Sequence, residues 1–273
     1  MTTVQVLTTT WDWEPTVLFG CADLLVAYWL FARPLTGRAW LFGGGILVLT
    51  LALVSPLDTL GDTYLFSVHM AQHLFLILVV PPMLLLGVPP STWARLLRWG
   101  PARRAERRLA RPPQSWVLGM GTLWLWHAPV LYDLAVANEG IHIVQHLSFL
   151  VTATIFWWPV LTPLSRRRLA LPPAMAYLIS AAFASSILGV IITFAAPGLY
   201  PAYQHPLDSR HILPLIRGQW GISYALDQQL GGMLMWATGG PVYLLTCLWS
   251  LARWLQEPEE ANRLPVAQAR PVL

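Results

Sequence analysis

Charge is what this sequence has least of: Asp, Glu, Lys and Arg together make up 11% of its 273 residues. A soluble domain carries roughly a quarter charged residues, so an ordinary water-exposed globule is excluded. Cysteine is nearly absent too. The two present, Cys21 and Cys247, fall in apolar stretches near opposite ends of the membrane-spanning region laid out below. That leaves no CxxC-type metal site and argues against a disulfide. The opening stretch, MTTVQVLTTTWDWEP, has neither a basic n-region nor an apolar core with a small-residue cleavage site, so no cleaved signal peptide is expected. Nothing between the apolar segments reads as a soluble domain, which leaves a single domain, 1–273.

Apolar side chains fill the space that charge leaves. Hydrophobic residues make up 56% of the chain, and fifteen residues are Trp, which concentrates at the two membrane interfaces. A helix needs about 20 apolar residues to cross the hydrocarbon core. Seven stretches come near that length: 14–32, 39–55, 64–86, 114–131, 141–161, 174–196 and 228–252. The second and fourth are short for a full crossing. The expected fold is an all-α polytopic membrane protein with seven transmembrane helices.

Arginine placement sets the orientation. Arg95, Arg98, Arg103, Arg104, Arg107, Arg108 and Arg111 follow the third stretch against one acid, Glu106. Arg166, Arg167 and Arg168 follow the fifth, and Arg33 and Arg38 the first. The alternate loops carry Asp58 and Asp62, then Asp133 and Glu139, then a longer segment of mixed charge, 197–227. The N-terminus is therefore expected outside and the tail, 254–273, in the cytoplasm. The net charge of +4 becomes a topology signal that can also meet anionic lipid, and no nucleic-acid partner is expected. Pro81, Pro82 and Pro159 are expected to kink or end helices near the cytoplasmic side.

Five of seven histidines lie in or at the ends of these stretches. His69 and His73 stand in S-V-H-M-A-Q-H-L, His142 and His146 in I-H-I-V-Q-H-L, and His127 in W-L-W-H-A-P. A spacing of i, i+4 puts both imidazoles of a pair on one helix face, about 6 Å apart along the axis, within reach of one ion. With the orientation taken from arginines alone, all five fall in about the outer half of the bilayer at 1.5 Å per residue. Ionisable groups at such depth usually face the bundle interior and serve function. The repeated H-x-x-Q-H-L suggests two equivalent helices facing a shared site.

Asp62 and Glu139 fall on the same faces as these pairs and can ligate or orient an imidazole. Asp227, Met233 and Met235 open the last stretch on the same side. A thioether beside imidazoles suits copper, Cu(I) above all, better than magnesium or calcium. Each feature also has a plain reading. A lone helical His is often a hydrogen-bonded packing residue, Met fills gaps freely, and Gly231 and Gly232 permit close helix approach. His205 and His211 sit in the outer loop, where a surface role is the default.

The sequence resembles the CtaG-type cytochrome c oxidase assembly factors, a seven-helix bacterial membrane family. The resemblance rests on S-P-L at 55–57, H-M-A-Q-H-L at 69–74, P-P-M-L-L-L-G-V-P at 81–89, H-A-P-V-L-Y-D-L-A at 127–135, H-I-V-Q-H-L-S-F-L at 142–150 and D-Q-Q-L-G-G-M-L-M-W at 227–236. It implies a non-enzymatic role in maturing a haem–copper oxidase at the outer face of the bacterial inner membrane. Copper handling is then the natural assignment, with oxidase subunits or a periplasmic copper chaperone as partners. Spacing alone does not separate copper from zinc or iron. The competing reading is a haem-binding membrane redox protein, with axial imidazoles from two facing helices. A membrane metalloenzyme would generally use more histidines, and a transporter would place its ligands at the midplane.

Overall fold

Proline stands in the first turn of most helices, where its missing N–H is no loss, and sets where many of them begin. The computed structural model describes residues 1–32, 37–164 and 167–256; Arg33, Arg166 and the tail from 257 lie outside the described residues. Among the described residues the chain is helical, with no strand. A short α1 (Thr3–Thr9) precedes α2 (Pro15–Phe31), α3 (Ala39–Val54) and a single short α4 (Pro56–Thr63). Next come α5 (Phe66–Leu74), a π turn at Phe75–Val79, and α6 (Val80–Gly87), which together form one continuous rod. Two short helices, α7 (Pro90–Leu96) and α8 (Gly100–Leu109), lead to α9 (Pro112–Trp126) and α10 (Pro129–Ala137). The long helices α11 (Glu139–Leu161), α12 (Leu171–Phe194) and α13 (Tyr224–Gln256) complete the chain.

Four of these segments are long and apolar enough to cross a membrane: Phe66–Gly87, α11, α12 and α13. The pair α3 and α4, bent by 47°, makes a fifth when counted as one span. The stretches expected at 14–32 and 114–131 fold as helices of 17 and 15 residues, short of the 20 or so of a full crossing. Proline explains the breaks. The residue before a proline is pushed out of the α region, and Ser55 before Pro56 and Ala128 before Pro129 both adopt extended ψ values, 175° and 124°. Large apolar side chains such as Phe19, Val151, Phe183, Ile187 and Leu245 are exposed around the outside, as the lipid-facing surface of a membrane protein requires. Cys21 and Cys247 are buried and free.

The π turn has a local cause. Pro81 has no N–H to give the carbonyl four residues back, so the Ile77 carbonyl is open to another donor. The indole Nε1–H of Trp157 on α11 takes it at 2.8 Å, fastening α11 to the rod just below the histidines. Close helix packing elsewhere depends on glycine. A Cβ on Gly189 of α12 would lie 2.8 Å from the Gly232 carbonyl oxygen, and one on Gly87 would lie 2.5 Å from the Phe42 nitrogen. One on Gly231 of α13 would lie 2.3 Å from the Phe66 ring.

These contacts gather one end of the bundle into a site. The starts of α5, α11 and α13, the end of α9, and α4 and α10 all meet there. Most of the described arginines collect at the other end, where Arg167 pairs with Glu106 of α8, whereas Arg217 lies at the histidine end and donates to the Ile222 carbonyl.

Candidate metal centre

The first two turns of α5 and α11 carry the histidines, and something must hold those helix ends still. On α11 the Asn138 side chain caps the helix by accepting from the Ile141 N–H at 3.1 Å. Leu65, the residue ahead of α5, has no side-chain acceptor and cannot cap. Asp227 does it instead from α13: its carboxylate accepts from the Phe66 N–H (2.8 Å), the Ser67 N–H (3.0 Å) and the Ser67 hydroxyl (2.6 Å). A cap of this type contributes about 1–2 kcal/mol. Asp227, a candidate ligand by its position, is thus occupied in fixing α5.

With the helices fixed, His69, His73 and His146 bring ligand nitrogens within 4.8 Å of one another. The Nε2 atoms of His69 and His73 are 2.8 Å apart. All three residues are buried, His69 fully. Asp62, His69 and His142 form a second such group that shares His69. Asp62 bridges it, with its carboxylate oxygens 3.7 Å from His69 Nδ1 and 3.4 Å from His142 Nδ1. Four of the five expected histidines therefore gather as two adjoining triads.

Tautomers follow from the neighbours. His69 Nδ1 faces the Gly61 carbonyl at 3.3 Å and the Tyr203 oxygen at 2.9 Å. The Tyr203 hydroxyl donates its proton to that same carbonyl at 2.8 Å. Both neighbours are left as acceptors toward the ring, so Nδ1 carries the His69 proton and Nε2 presents a lone pair inward. Three buried nitrogens, His73 Nδ1, His142 Nε2 and His146 Nε2, have no hydrogen-bond partner. Buried polar atoms normally find one, and a cation bound by several imidazoles resolves the deficit. The donor set of imidazoles and one carboxylate fits a transition-metal ion.

His127 lies to one side. It forms the end of α9, its ring 5.7 Å from that of His73 by centroids, with its Nε2 against the sulfur of Met70. The remaining candidates fall elsewhere: Glu139 is exposed at the mouth of a cavity, Met233 is 42% exposed, and Met235 packs in the apolar core.

Sequence reasoning passed over the second layer. Tyr132, Tyr200 and Tyr203 are fully buried over the histidines. Their hydroxyls link to one another and to the backbone: Tyr132 lies 3.1 Å from Tyr203, and Tyr200 donates to the His127 carbonyl at 2.9 Å. The mixed-charge segment, 197–227, thus supplies part of the roof through Tyr200 and Tyr203. Gln72, inside the first H-x-x-Q-H-L, donates to the Ala52 carbonyl and to Asp58 and ties α5 to α3 and α4. Gln145, its counterpart, is buried with neither amide atom paired, so the two copies are not equivalent. A cavity of about 540 Å³ lies against His142 and His146, walled by apolar residues of α2, α3 and α11. Asp12, Glu14, Asp58, Asp62 and Glu139 also line it.

Among known proteins, the chain is 24% identical over 238 residues to an uncharacterized protein of Mycobacterium leprae, covering 80% of this chain and 34% of that protein. Uncharacterized proteins of Mycobacterium bovis and Mycobacterium tuberculosis are 24% identical over 235 residues, again covering 80% of this chain and 34% of theirs. This chain spans about a third of the length of these curated relatives, by the 34% covered. No solved structure matches. The profile of the cytochrome c oxidase caa3 assembly factors, Caa3_CtaG, matches residues 5–257, nearly the whole chain, and the chain belongs to that family.

Proposed function

We propose that this assembly factor holds a copper ion through His69, His73 and His146 and passes it toward the oxidase. His142 and Asp62 form an adjoining position. The observation that carries the reading is the convergence of three buried imidazoles within 4.8 Å, with His146 Nε2 lacking any partner. Imidazole donors favour copper, zinc or iron over magnesium or calcium, and membership of an oxidase assembly family favours copper among them. The role is metal handling rather than catalysis. Oxidase subunits receive the ion, or a periplasmic copper chaperone exchanges it.

In this reading the bundle crosses the bacterial inner membrane seven times, with its N-terminus outside and its C-terminus in the cytoplasm. The arginine-bearing α7 and α8, together with Arg167, mark the cytoplasmic end. The histidine end then faces out, where a partner can reach it. The test is copper content of the purified protein, reconstituted under reducing conditions. His73→Ala and His146→Ala are expected to lose the ion, and undiminished copper in both would overturn the assignment.

A haem-binding reading draws on the large apolar cavity beside His142 and His146. Against it, the facing-helix pair His73 and His146 has ring centroids only 5.3 Å apart, which leaves no slot for a flat macrocycle between them. A Soret band in protein purified from cells would favour haem over copper.

A further inference from the structure

Met70 lies between the two histidines of H-M-A-Q-H and is turned away from their shared face toward α9. Its sulfur is 3.3 Å from His127 Nε2. Met70 is completely buried and His127 is 3% exposed. The proton inventory of this contact is unusual. His127 Nδ1 is 2.7 Å from the Leu123 carbonyl oxygen, and a carbonyl can only accept. Nδ1 must therefore carry the hydrogen, and in a neutral ring Nε2 has only a lone pair. A thioether sulfur has no hydrogen either. Two lone pairs thus face each other across 3.3 Å in a dry interior, with no proton to share.

We infer that Met70 and His127 form a second binding site, selective for a soft monovalent cation of the Cu(I) or Ag(I) type. Thioether sulfur selects Cu(I) strongly and zinc weakly, whereas imidazole serves both. A cation accepting both lone pairs removes the repulsion that the empty geometry contains. His73 provides a third donor between the two sites. Its ring is 5.7 Å from that of His127, 4.3 Å from His69 and 5.3 Å from His146. Its Nδ1 is buried without a partner. A neutral ring has one lone pair, so His73 serves the second position through Nδ1 while its proton is on Nε2, and the histidine triad through Nε2 once the proton has moved to Nδ1. The two positions share this ring, giving the ion a short step between an all-imidazole site and a sulfur-containing one.

The inference deepens the copper reading above and rests on it for the neighbouring triad. Titrating purified full-length protein with Ag(I) and with Cu(I) under reducing conditions is expected to give two equivalents, and titrating with Zn(II) one fewer. Met70→Leu, close to isosteric, is expected to lose one equivalent of Ag(I) and Cu(I) and to leave Zn(II) binding unchanged. Retention of both Ag(I) equivalents in Met70→Leu would overturn the second site while leaving the triad standing. Retained copper in His73→Ala and His146→Ala would instead strike at the triad. Should Met70→Leu fail to fold, copper X-ray absorption on selenomethionine-labelled wild-type protein decides the matter: a selenium neighbour to copper supports the site, and its absence at two equivalents rejects it.

Discussion

His69 and His73 face each other Nε2 to Nε2 at 2.8 Å across one turn of α5. At that distance one nitrogen must donate a proton to the other. His69 already has its proton on Nδ1, between the Gly61 carbonyl and the Tyr203 oxygen, so the donor is His73. The unpartnered Nδ1 of His73 agrees, because a neutral ring protonated at Nε2 has a bare Nδ1. Two nitrogens on a tetrahedral ion at 2.0–2.1 Å stand about 3.3 Å apart. Binding through both Nε2 atoms must therefore part the rings by about half an ångström and move the His73 proton to Nδ1. Nitrogen NMR on histidine-labelled protein is expected to show His73 as the Nε2–H tautomer without metal. One equivalent of diamagnetic Zn(II) is expected to switch it to Nδ1–H. A His73 spectrum indifferent to zinc would remove Nε2 of His73 from the ligand set.

Tyr203 is expected to matter for metal without touching it. Its hydroxyl donates to the Gly61 carbonyl at 2.8 Å and presents its oxygen to His69 Nδ1 at 2.9 Å, fixing both the ring's orientation and its tautomer. Partners of this type typically alter affinity by about 10–100-fold. Tyr203→Phe is expected to weaken metal binding within that range while preserving helicity and the metal stoichiometry. Competition against a chromogenic chelator measures it, and an unchanged affinity would mean that His69 is held by Gly61 alone.

The two histidine pairs were legible because i, i+4 spacing is a local property of a helix, and His127 joined them because arginine asymmetry placed all five at one end. Asp227 shows where that legibility stops. Its position on the right face and at the right depth suited a ligand, but its partners are the amides of Phe66 and Ser67, some 160 residues earlier in the chain. Only packing of α13 on α5 reveals that need. Met70 was hidden differently, since methionine on a buried face reads as filler until a bare imidazole nitrogen is found against it. Tyr132, Tyr200 and Tyr203 lie outside the main helical rods and carry no periodic signal that would aim them at the site. The exact helix ends at α2 and α9 were less legible: hydrophobicity marks an apolar stretch, whereas the end of α9 at Trp126, just before Ala128 and Pro129, is set by local backbone geometry.

Gly231 makes the closest of these approaches. A Cβ there would lie 2.3 and 2.4 Å from the Phe66 ring and 3.2 Å from Met70 Cγ. Gly231→Ala must push α5 from α13 at the point where Asp227 holds it. Overpacking of this sort typically costs about 1–3 kcal/mol, and a lower Tm in detergent is expected, together with weaker metal binding. Gly240→Ala lies on the same helix with nothing within 4 Å of the added carbon and is expected to match the wild type in both measurements. If the two variants lose stability equally, the close approach of Phe66 is not what demands glycine at 231.

In the proposed role, the cavity against His142 and His146 is the route by which a cation would reach the buried imidazoles. Its walls are apolar, yet Asp12, Glu14, Asp58, Asp62 and Glu139 all contribute to its lining. Carboxylates grouped in a low-dielectric cleft focus their field outward and raise cation arrival rates by 10-fold or more. Asp12 is exposed and Glu14 half-buried, and neither belongs to the two groups of candidate ligands, so their expected contribution is through charge. The double variant Asp12→Asn, Glu14→Gln is expected to slow Ag(I) uptake at low salt by about 10-fold, with the equilibrium stoichiometry intact. The difference should fade as ionic strength rises and the Debye length shrinks to about 8 Å near 0.15 M. Stopped-flow measurement of uptake at two salt concentrations separates this from a ligand role. A ligand lost would lower affinity at every salt, whereas a steering charge lost lowers only the rate, and chiefly where screening is weak.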